Sequence, residues 1–525
     1  MRDHLGGGSI FDLLEERTLA LGERTFLVFE GRGETVATWS YQTFFDQVQR
    51  CAQGLSELGV GRGDFVLVHL ANRPEFLLTW FALGKLGAVL VPSNVANTAP
   101  EIQHLVQVAS PVVAICEARF YDVVSQGVSA STSGVELVVV GDVVLGARNF
   151  DELLIATGDS PRPAVTGDAL NELIFTSGTS SKPKAVMLTH ANCLQAGLQA
   201  VHSLWLTEGE RCLTALPLFH VNAQAMSVLA ALTVGGSVVL VEEFRASRFW
   251  GQVRRHEATQ TCLVAMQLRT LLAQPAHDED RLHQIRRLFF AINVSDVERE
   301  TFEARFNVTL INGYGCSEAM TLLTCSPILG SRRWPSIGRP AVGRRIFLLK
   351  EDGTEAAVGE IGEVVVQGTP GRDLMVGYYG DPTETAASLR GELFFTGDNA
   401  YSDDAGFLYF VDRKKNMIKR AGENISAAEV EAVLVEHDAV LEACVVGVPD
   451  DIRDESVVAV AVVESSSDVT REQLIEHCRA HLSKFKVPSE VIFMKELPKT
   501  SIGKIQRDTL LKSVLEQLSE GVSRG

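Results

Sequence analysis

A run of small hydroxyl residues, FTSGTSSKPK at positions 175–184, is the segment of the sequence best suited to hold phosphate groups. Its small residues let backbone N–H groups approach phosphate oxygens, its hydroxyls donate further hydrogen bonds, and Lys184 supplies positive charge. The apolar lead-in ELI predicts a strand that ends at Thr176. The spacing is not that of the G-x-x-x-x-G-K-S/T phosphate loop, and by itself this composition is more typical of a surface turn.

A second segment, INGYGCSE at positions 311–318, offers groups for the base and the metal of a nucleotide. An apolar strand leads into it, Tyr314 offers a flat face to a purine, and Glu318 offers a carboxylate to Mg²⁺. The alternative is a tight turn with a half-buried tyrosine and a solvated glutamate, and for this segment alone the alternative is favoured.

Two further segments carry charged groups that suit the rest of a nucleotide. Asp398 in FFTGDNA and Arg413 in VDRKKN could grip ribose hydroxyls, although a weak surface ion pair explains them as well. Lys504 lies in PKTSIGKIQR near the end of the chain, where a solvated lysine is the usual outcome. None of the four segments by itself is specific for nucleotide binding, but the occurrence of all four in this order along one chain is specific.

Composition narrows the class of protein. The chain has 525 residues, 46% of them hydrophobic and 22% charged, which predicts several ordinary globular domains. A formal net charge of −18 argues against nucleic-acid binding and against anionic membrane surfaces. Nine cysteines without a CxxC pair favour free thiols in a reducing, cytoplasmic location. The apolar run 76–91 contains Lys85 and is too short to span a membrane, so we interpret it as a buried helix followed by a buried strand.

Alternating helix and strand patterns predict an α/β fold for the first two-thirds of the chain. Apolar residues recur at helical spacing from Phe44 to Leu58, and the apolar runs at 65–70 and 237–241 are typical of strands covered on both faces. This order predicts parallel-rich sheets flanked by helices.

The pattern of predicted secondary structure changes twice towards the C terminus. Short strands between glycines predict a small β-rich subdomain at about 340–412, which completes a large N-terminal domain over 1–412. The basic segment 413–420 separates it from residues 421–525, whose mixed elements predict a small α+β domain. Capping boxes are predicted at DPTE (381–384) and at SAAE (426–429).

The four segments, in this order, resemble those of the adenylate-forming superfamily, which comprises acyl- and aryl-CoA synthetases, adenylation domains of peptide synthetases and beetle luciferases. The resemblance runs from about Phe11 to about Leu511. Within the superfamily the sequence is most similar to carnitine/crotonobetaine-CoA ligases. The stretches that carry this closer similarity are RPEFLLTWFALGKLGAVLVP, RFWGQV, RRWPSIGR, FVDRKKNMIKRAGENIS, IRDE and KFKVPS.

The resemblance implies a role for each matching residue. The ATP-binding residues are Thr176, Ser177, Gly178, Thr179, Ser180, Lys184, Asn312, Gly313, Tyr314, Gly315, Ser317, Asp398, Arg413 and Lys504. The substrate-binding residues are Phe219, His220, Asn222, Gln224 and Asn293, and the metal ligands are Glu318 and Thr176. Lys504, His220 and Glu318 are the implied catalytic residues. Lys415 is the implied hinge of a mobile C-terminal domain, and Gly422 lines the implied coenzyme A tunnel.

The implied reaction has two steps and uses ATP, Mg²⁺ and coenzyme A. A carboxylic acid is activated as an acyl-adenylate, and the acyl group then passes to a thiol while the small domain rotates. Transfer to the phosphopantetheine arm of a carrier protein is the close alternative. A luciferase-like oxidation and simple nucleotide hydrolysis are the more distant ones. The expected partners are small molecules, with no nucleic acid and no membrane span, and a homodimer is the expected assembly.

Some positions depart from the superfamily pattern. Ser181 and Ala185 stand where glycine is usual, which reduces the backbone freedom of the phosphate segment. FAINVS at 290–295 replaces the usual glycine-rich segment beside adenine, a trait shared with the carnitine/crotonobetaine ligases. The sequence contains no obvious aromatic cage for a quaternary ammonium, and it does not identify the acid.

Overall fold

The computed structural model describes most of the chain, which divides into two compact units. The described residues are 7–129, 131, 134–176, 183–291, 294–413, 416–420, 423–450, 454–464, 467–482, 484, 486–499 and 505–522. The large unit comprises residues 1–346, 365–395 and 406–408, and the small unit comprises residues 347–364, 396–405 and 409–525.

Strands occur along almost the whole chain. Those up to residue 340 are β1 (Thr25–Glu30), β2 (Val36–Ser40), β3 (Phe65–His69), β4 (Val89–Pro92), β5 (Val113–Glu117), β6 (Glu136–Val140), β7 (Arg148–Asn149), β8 (Leu170–Thr176), β9 (Lys184–Thr189), β10 (Arg211–Thr214), β11 (Ser237–Val241), β12 (Gln260–Val264), β13 (Arg287–Ala291), β14 (Thr309–Cys316), β15 (Thr321–Cys325) and β16 (Arg339–Pro340). The later ones are β17 (Arg345–Leu349), β18 (Gly362–Gln367), β19 (Gly377–Tyr378), β20 (Leu389–Arg390), β21 (Leu393–Ser402), β22 (Leu408–Arg413), β23 (Met417–Arg420), β24 (Glu423–Ser426), β25 (Val440–Asp450), β26 (Asp454–Val463) and β27 (Glu490–Phe493).

The helices alternate with these strands. They are α1 (Ile10–Leu21), α2 (Tyr41–Glu57), α3 (Pro74–Leu86), α4 (Ala99–Ala109), α5 (Tyr121–Val128), α6 (Asp151–Leu154), α7 (His190–Leu204), α8 (Val221–Ala223), α9 (Ala230–Val234), α10 (Ala246–Arg255), α11 (Ala265–Leu272), α12 (Asp296–Phe306), α13 (Pro382–Ser388), α14 (Ala427–Val435), α15 (Arg471–His481) and α16 (Arg507–Val522). A π-helical turn (Gln224–Leu229) joins α8 to α9, and a 3₁₀ turn (Ser317–Ala319) follows β14. Among the described residues, no helix combines the length and the apolar character that a membrane span requires.

Two parallel-rich sheets form the core of the large unit, as the sequence predicts. Sheet 1 has the order β19-β9-β8-β4-β3-β5-β6-β7, and its strands from β8 to β7 run parallel. Sheet 2 has the order β16-β15-β14-β13-β12-β10-β11-β1-β2, and its strands from β14 to β1 run parallel. Every residue of β11 is buried, as expected where both faces of a parallel sheet are covered.

The carboxyl ends of the parallel strands place the predicted functional segments. The phosphate segment (residues 175–184) begins at the end of β8 in sheet 1. In sheet 2, the segment that reaches His220 follows β10, and Ser317 follows β14. Open α/β sheets bind their ligands outside these carboxyl ends, so the fold brings the predicted segments to the edge where binding is expected.

The β-rich segment forms a five-stranded sheet with the order β17-β18-β21-β20, in which β22 pairs with β21. The small unit contains a second five-stranded sheet, with the order β24-β23-β26-β25 and β27 beside β26. Alternate residues of β26 face opposite sides: Val457 and Ala459 pack with α14 and α15, and Val458 and Val460 pack with α16. The small sheet is therefore covered by helices on both faces. The capping box predicted at SAAE marks the start of α14.

Cysteine usage agrees with the sequence analysis. All nine cysteines are free thiols, and all except Cys316 are buried. They fill space in the core as small apolar side chains.

Gly313 is required by close packing between β13, β14 and β15. A Cβ atom at this position would lie 2.7 Å from Cε2 of Phe289 and 2.8 Å from the carbonyl oxygen of Thr324. We expect Gly313→Ala to lower the free energy of unfolding by about 1–3 kcal/mol, because a backbone carbonyl cannot move aside cheaply. Urea denaturation followed by tryptophan fluorescence measures this change.

Gly251 in α10 provides the matched control, since a Cβ there would meet no atom within 4 Å. Gly251→Ala should raise the free energy of unfolding by about 0.5–1 kcal/mol, as for an unconstrained helical glycine. A Gly313→Ala protein as stable as the unaltered protein would contradict the close packing of β13, β14 and β15 at this glycine.

Candidate functional site

The two ends of the phosphate segment lie side by side in sheet 1. Thr176, the last residue of β8, is the antiparallel partner of Lys184, the first residue of β9. Ser177, Gly178, Thr179 and Ser180 lie outside the described residues. Lys184 is therefore held by the sheet beside the point where the small hydroxyl residues begin.

The amine of Lys184 has two neighbours on one short stretch of chain. Its Nζ pairs with the carboxylate of Glu384 and lies 5.1 Å from the ring centroid of Tyr378. The Lys184 side chain is only 12% exposed. A largely shielded amine that is paired with one partly exposed carboxylate is suited to exchange that partner for a phosphate oxygen.

Glu384 explains why one predicted capping box is only half formed. The carboxylate of Asp381 accepts a hydrogen bond of 2.9 Å from the backbone N–H of Glu384, as predicted for the first turn of α13. The return bond from Asp381 N–H to the Glu384 carboxylate is replaced by contacts of that carboxylate with Lys184 and with the Ser388 hydroxyl, at 3.2 Å from the latter. The Glu384 side chain thus serves the site and not the helix cap.

Tyr378 links Lys184 to the predicted metal ligand. Its hydroxyl donates a hydrogen bond of 3.0 Å to Oε1 of Glu318. Burial, followed by the nearby Glu318 carboxylate, raises the pKa of Tyr378 well above its ordinary value, so the phenol stays protonated and remains a donor. A cation and a carboxylate therefore flank a single tyrosine. We name these three residues the Lys184–Tyr378–Glu318 cluster.

The rest of the INGYGCSE segment is placed by β14 and the turn after it. Asn312 is buried, and its Nδ2 donates to the carbonyl oxygen of Ser336 at 3.0 Å. Tyr314 is half-buried, Gly315 is exposed, and Ser317 opens the 3₁₀ turn that carries Glu318. The backbone carbonyl of Glu318 accepts from Met375 N–H at 2.7 Å, which ties this turn to the chain leading to Tyr378.

The predicted substrate segment forms a tight turn that leads into a helix. Phe219 and His220 pack ring against ring with centroids 4.7 Å apart, and His220 is the N-cap residue of α8. Asn222 carries a buried Oδ1 with no partner among the described residues. Gln224 is fully buried, and its Nε2 donates to the carbonyl oxygen of Leu218 at 2.9 Å.

The remaining predicted residues belong to the small unit or lie outside the described ranges. Asp398 is on β21 and is 4% exposed, and its backbone N–H donates to the Thr396 hydroxyl at 3.1 Å. Arg413 ends β22, and only its backbone is described. Besides residues 177–180, the predicted residues outside the described ranges are Asn293, Lys415, Gly422 and Lys504.

Tyr378 and Glu384 are the site residues that the sequence did not reveal as functional groups. Glu384 was interpreted only as a capping residue, and Tyr378 lies in an unremarkable GYYG stretch. Their partners are 60 and 200 positions away in the chain. No local pattern signals such long-range contacts.

Comparison with known proteins identifies the class to which this fold and site belong. The AMP-binding enzyme family matches residues 14–379, and the AMP-binding enzyme C-terminal domain matches residues 429–504. The chain therefore belongs to the AMP-binding enzyme family, the adenylate-forming superfamily that the sequence predicted. The predicted α/β fold and the predicted enzyme class, an AMP-forming acid–thiol ligase, are confirmed at the level of the family.

Several of the similar proteins are CoA ligases. The chain is 35% identical to a crotonobetaine/carnitine–CoA ligase of Escherichia coli O8, over 97% of this chain and all of that one. O-succinylbenzoate coenzyme A synthetase (MenE) of Bacillus subtilis in complex with AMP is 27% identical, with a TM-score of 0.84 over 95% of this chain and 97% of that one. The anthranilate CoA ligase AuaEII in complex with anthranoyl-AMP is 24% identical and shares the fold, with a TM-score of 0.87 over 98% of both chains.

The bond between Tyr378 and Glu318 can be tested by removing one hydroxyl. Tyr378→Phe should lower the free energy of unfolding by about 1 kcal/mol, because Glu318 loses a donor that is partly shielded from water. Tyr379→Phe is the matched control, since Tyr379 packs through its ring, with its centroid 5.2 Å from that of Phe65, and the substitution keeps that ring. That control should stay within about 0.5 kcal/mol of the unaltered protein. Equal losses from the two substitutions would show that the hydroxyl of Tyr378 has no special partner.

Proposed function

We propose that the protein joins a small carboxylic acid to coenzyme A in two steps at the expense of ATP. In the first step a carboxylate oxygen attacks the α-phosphorus of ATP, the bond to the bridging oxygen of the β-phosphate breaks, and pyrophosphate leaves. In the second step the sulfur of coenzyme A attacks the acyl carbon, the thiol proton is lost and AMP leaves. The observation that carries the proposal is the Lys184–Tyr378–Glu318 cluster at the end of the phosphate segment, in a chain similar over its whole length to CoA ligases.

Each residue of the cluster has a proposed part in holding ATP. Lys184 leaves Glu384 and binds a phosphate oxygen, where its charge stabilises the negative charge that moves onto pyrophosphate. Tyr378 keeps the Glu318 carboxylate oriented, and the half-buried Tyr314 offers its ring to adenine. A carboxylate fits Mg²⁺, which binds proteins through one or two carboxylates together with substrate phosphates. Glu318 and Thr176 would hold that ion, and when bound it would neutralise phosphate charge.

Other roles rest on the family resemblance. We propose Asp398 and Arg413 as ribose ligands, His220 as the group beside the substrate carboxylate, and Lys504 as the amine that bridges that carboxylate and the α-phosphate. A domain division at 1–412, 413–420 and 421–525, with rotation about Lys415 that brings Gly422 to the thiol, belongs to the same proposal. The similarity to CoA ligases favours coenzyme A over a carrier protein as acceptor. The cytoplasmic location and the homodimer remain predictions.

Acid-dependent exchange of labelled pyrophosphate into ATP tests the proposed function. A panel of carboxylic acids with ATP and Mg²⁺ should contain at least one acid that supports exchange, because only a reversible adenylate step returns pyrophosphate to ATP. Adding coenzyme A should then release AMP and give a thioester of the expected mass. ATP hydrolysis without exchange, whichever acid is supplied, would contradict the proposal.

The competition between Glu384 and phosphate for Lys184 gives a sharper test. The pair is partly exposed, at 12% for Lys184 and 32% for Glu384, so it contributes about 0.2–1 kcal/mol. Glu384→Gln should therefore lower the KM for ATP in the exchange assay by up to about five-fold. Lys184→Met should raise that KM about ten-fold, since a charge-assisted hydrogen bond is lost.

Glu392→Gln is the matched control, because Glu392 is an exposed carboxylate of the same unit that contacts Gln367 at 3.4 Å. Its KM for ATP should equal that of the unaltered enzyme. If the Lys184–Glu384 pair serves the fold alone, Glu384→Gln will lower stability and leave this KM unchanged, and Lys184 is then not a phosphate ligand.

A further inference from the structure

A buried arginine contacts the 3₁₀ turn that carries Glu318, which we call the Glu318 turn. Arg344 directly precedes β17 and is only 9% exposed. Its guanidinium donates to three backbone carbonyl oxygens, through Nε to Leu322 at 2.9 Å, through Nη2 to Ala319 at 2.7 Å, and through Nη1 to Asp373. Nη2 also contacts the side-chain amide oxygen of Gln199 at 3.4 Å. All of these acceptors are neutral, so none of the described hydrogen bonds of the guanidinium is to a carboxylate.

A buried guanidinium that donates only to neutral groups is a costly arrangement. Moving a charge out of water is expensive, and an apolar side chain of similar size would avoid that cost. Burial lowers the pKa of Arg344, because the charged form loses its hydration, and the nearby Asp373 carboxylate offsets this effect only in part. Arginine differs from lysine in its rigid planar fork, which joins several acceptors in a fixed geometry. The arrangement therefore favours a role that needs this fork.

Two of the three carbonyl groups lie on either side of a strained residue next to Glu318. Ala319 ends the Glu318 turn, and Leu322 is on β15. Between them, Met320 has a left-handed backbone conformation with a φ of 49°, which is unfavourable for a residue with a side chain. Such a conformation persists where the surrounding structure fixes it. By binding the carbonyl oxygens before and after Met320, Arg344 fixes the sharp bend that follows Glu318.

The third carbonyl group, that of Asp373, lies on the segment that leads to Tyr378. This segment already meets the Glu318 turn at one point, because the backbone N–H of Met375 donates to the Glu318 carbonyl oxygen at 2.7 Å. Arg344 joins the same two pieces of chain at a second point. Two points of attachment keep the segment from pivoting about the turn, so the hydroxyl of Tyr378 stays within reach of the Glu318 carboxylate.

We propose that Arg344 is a positioning residue that fixes the Glu318 turn against the segment leading to Tyr378, and so holds the Glu318 carboxylate in place for the metal of MgATP. Arg344 acts through the backbone and not on the nucleotide. The metal role of Glu318 comes from the proposed function, on which that part of the inference rests. The attachment of the two pieces of chain does not depend on it.

Hydrogen exchange of the protein without ligands tests the attachment itself. In Arg344→Met the three carbonyl oxygens lose their donor, so the Glu318 turn and the segment leading to Tyr378 should open more often. The backbone N–H groups of Met320 and Met375 report this opening, because they donate to the carbonyl oxygens of Ser317 and Glu318. Both should exchange at least about ten-fold faster than in the unaltered protein, as measured by mass spectrometry with electron-transfer fragmentation.

A milder variant keeps this test informative if Arg344→Met does not fold. Arg344→Lys retains the charge, but its single amine cannot reach three separate carbonyl oxygens at once. It should therefore accelerate exchange at Met320 and Met375 by a smaller factor, about three-fold or more. Unchanged exchange at both amides in the variants that fold would overturn the proposal.

Arg305→Met is the matched control. Arg305 on α12 likewise donates to three backbone carbonyl oxygens, those of Leu272, Gln274 and Pro275. Its side chain is only 15% exposed, and none of these acceptors belongs to the candidate site. Arg305→Met should leave exchange at Met320 and Met375 within about two-fold of the unaltered protein. Equal acceleration by Arg305→Met and Arg344→Met would show that the two amides follow overall stability, and would overturn the proposal.

ATP binding with and without Mg²⁺ tests whether the attachment serves the metal. Isothermal titration calorimetry gives the Kd for ATP in excess Mg²⁺ and in EDTA. Arg344→Met should weaken ATP binding at least about five-fold with Mg²⁺ and less than about two-fold in EDTA, because only the metal-dependent contact is lost. Arg305→Met should change neither Kd by more than about two-fold. Equal weakening by Arg344→Met under both conditions, or no weakening, would overturn its role in holding the carboxylate.

The two measurements separate failure of this inference from failure of the proposed function. If the unaltered protein binds ATP equally well in Mg²⁺ and in EDTA, the proposed metal site at Glu318 is wrong, and the role of Arg344 towards the metal is overturned with it. If Mg²⁺ does tighten ATP binding while Arg344→Met leaves exchange at Met320 and Met375 unchanged, the proposed function stands and the inference about Arg344 is overturned.

Discussion

A polyanionic nucleotide can be held by a chain with a net charge of −18 only where positive charge and backbone donors meet at one place. The antiparallel pairing of Thr176 with Lys184 places one positive charge at the carboxyl end of β8. Three groups of the candidate site are arranged around that amine. Glu384 neutralises it, Tyr378 lies beside it, and the same tyrosine orients Glu318. Sheet 1 supplies this charge, β14 of sheet 2 supplies the proposed adenine platform, and the 3₁₀ turn after β14 supplies the proposed metal ligand.

The same strand carries a second constraint at its buried centre. Glu172 lies four residues before Thr176 and is fully buried, in surroundings where a charge is disfavoured. One end of β8 therefore leads to the phosphate segment, and its centre contacts the helix that follows the substrate segment.

Much of the fold could be predicted because its strands and helices follow local rules. The apolar run at 237–241 forms β11 with the same limits. The residues at helical spacing from Phe44 to Leu58 lie in α2 or at its C-terminal end. Side-chain partners far away in the sequence could not be predicted. In both predicted capping boxes, only the bond from the backbone N–H of the glutamate to the N-cap side chain forms. The carboxylates that would complete the boxes form ion pairs instead, Glu384 with Lys184 and Glu429 with Lys486. Tyr378 was missed for the same reason, since a single sequence does not show which distant groups meet it.

The most direct test of the account is a crystal structure of the enzyme with ATP and Mg²⁺. The account predicts that the phosphates lie against residues 176–184, that Nζ of Lys184 has left Glu384 for a phosphate oxygen, and that Glu318 holds the metal while bonded to Tyr378. A nucleotide bound at another place, with Lys184 still paired to Glu384 and no metal at Glu318, would contradict it.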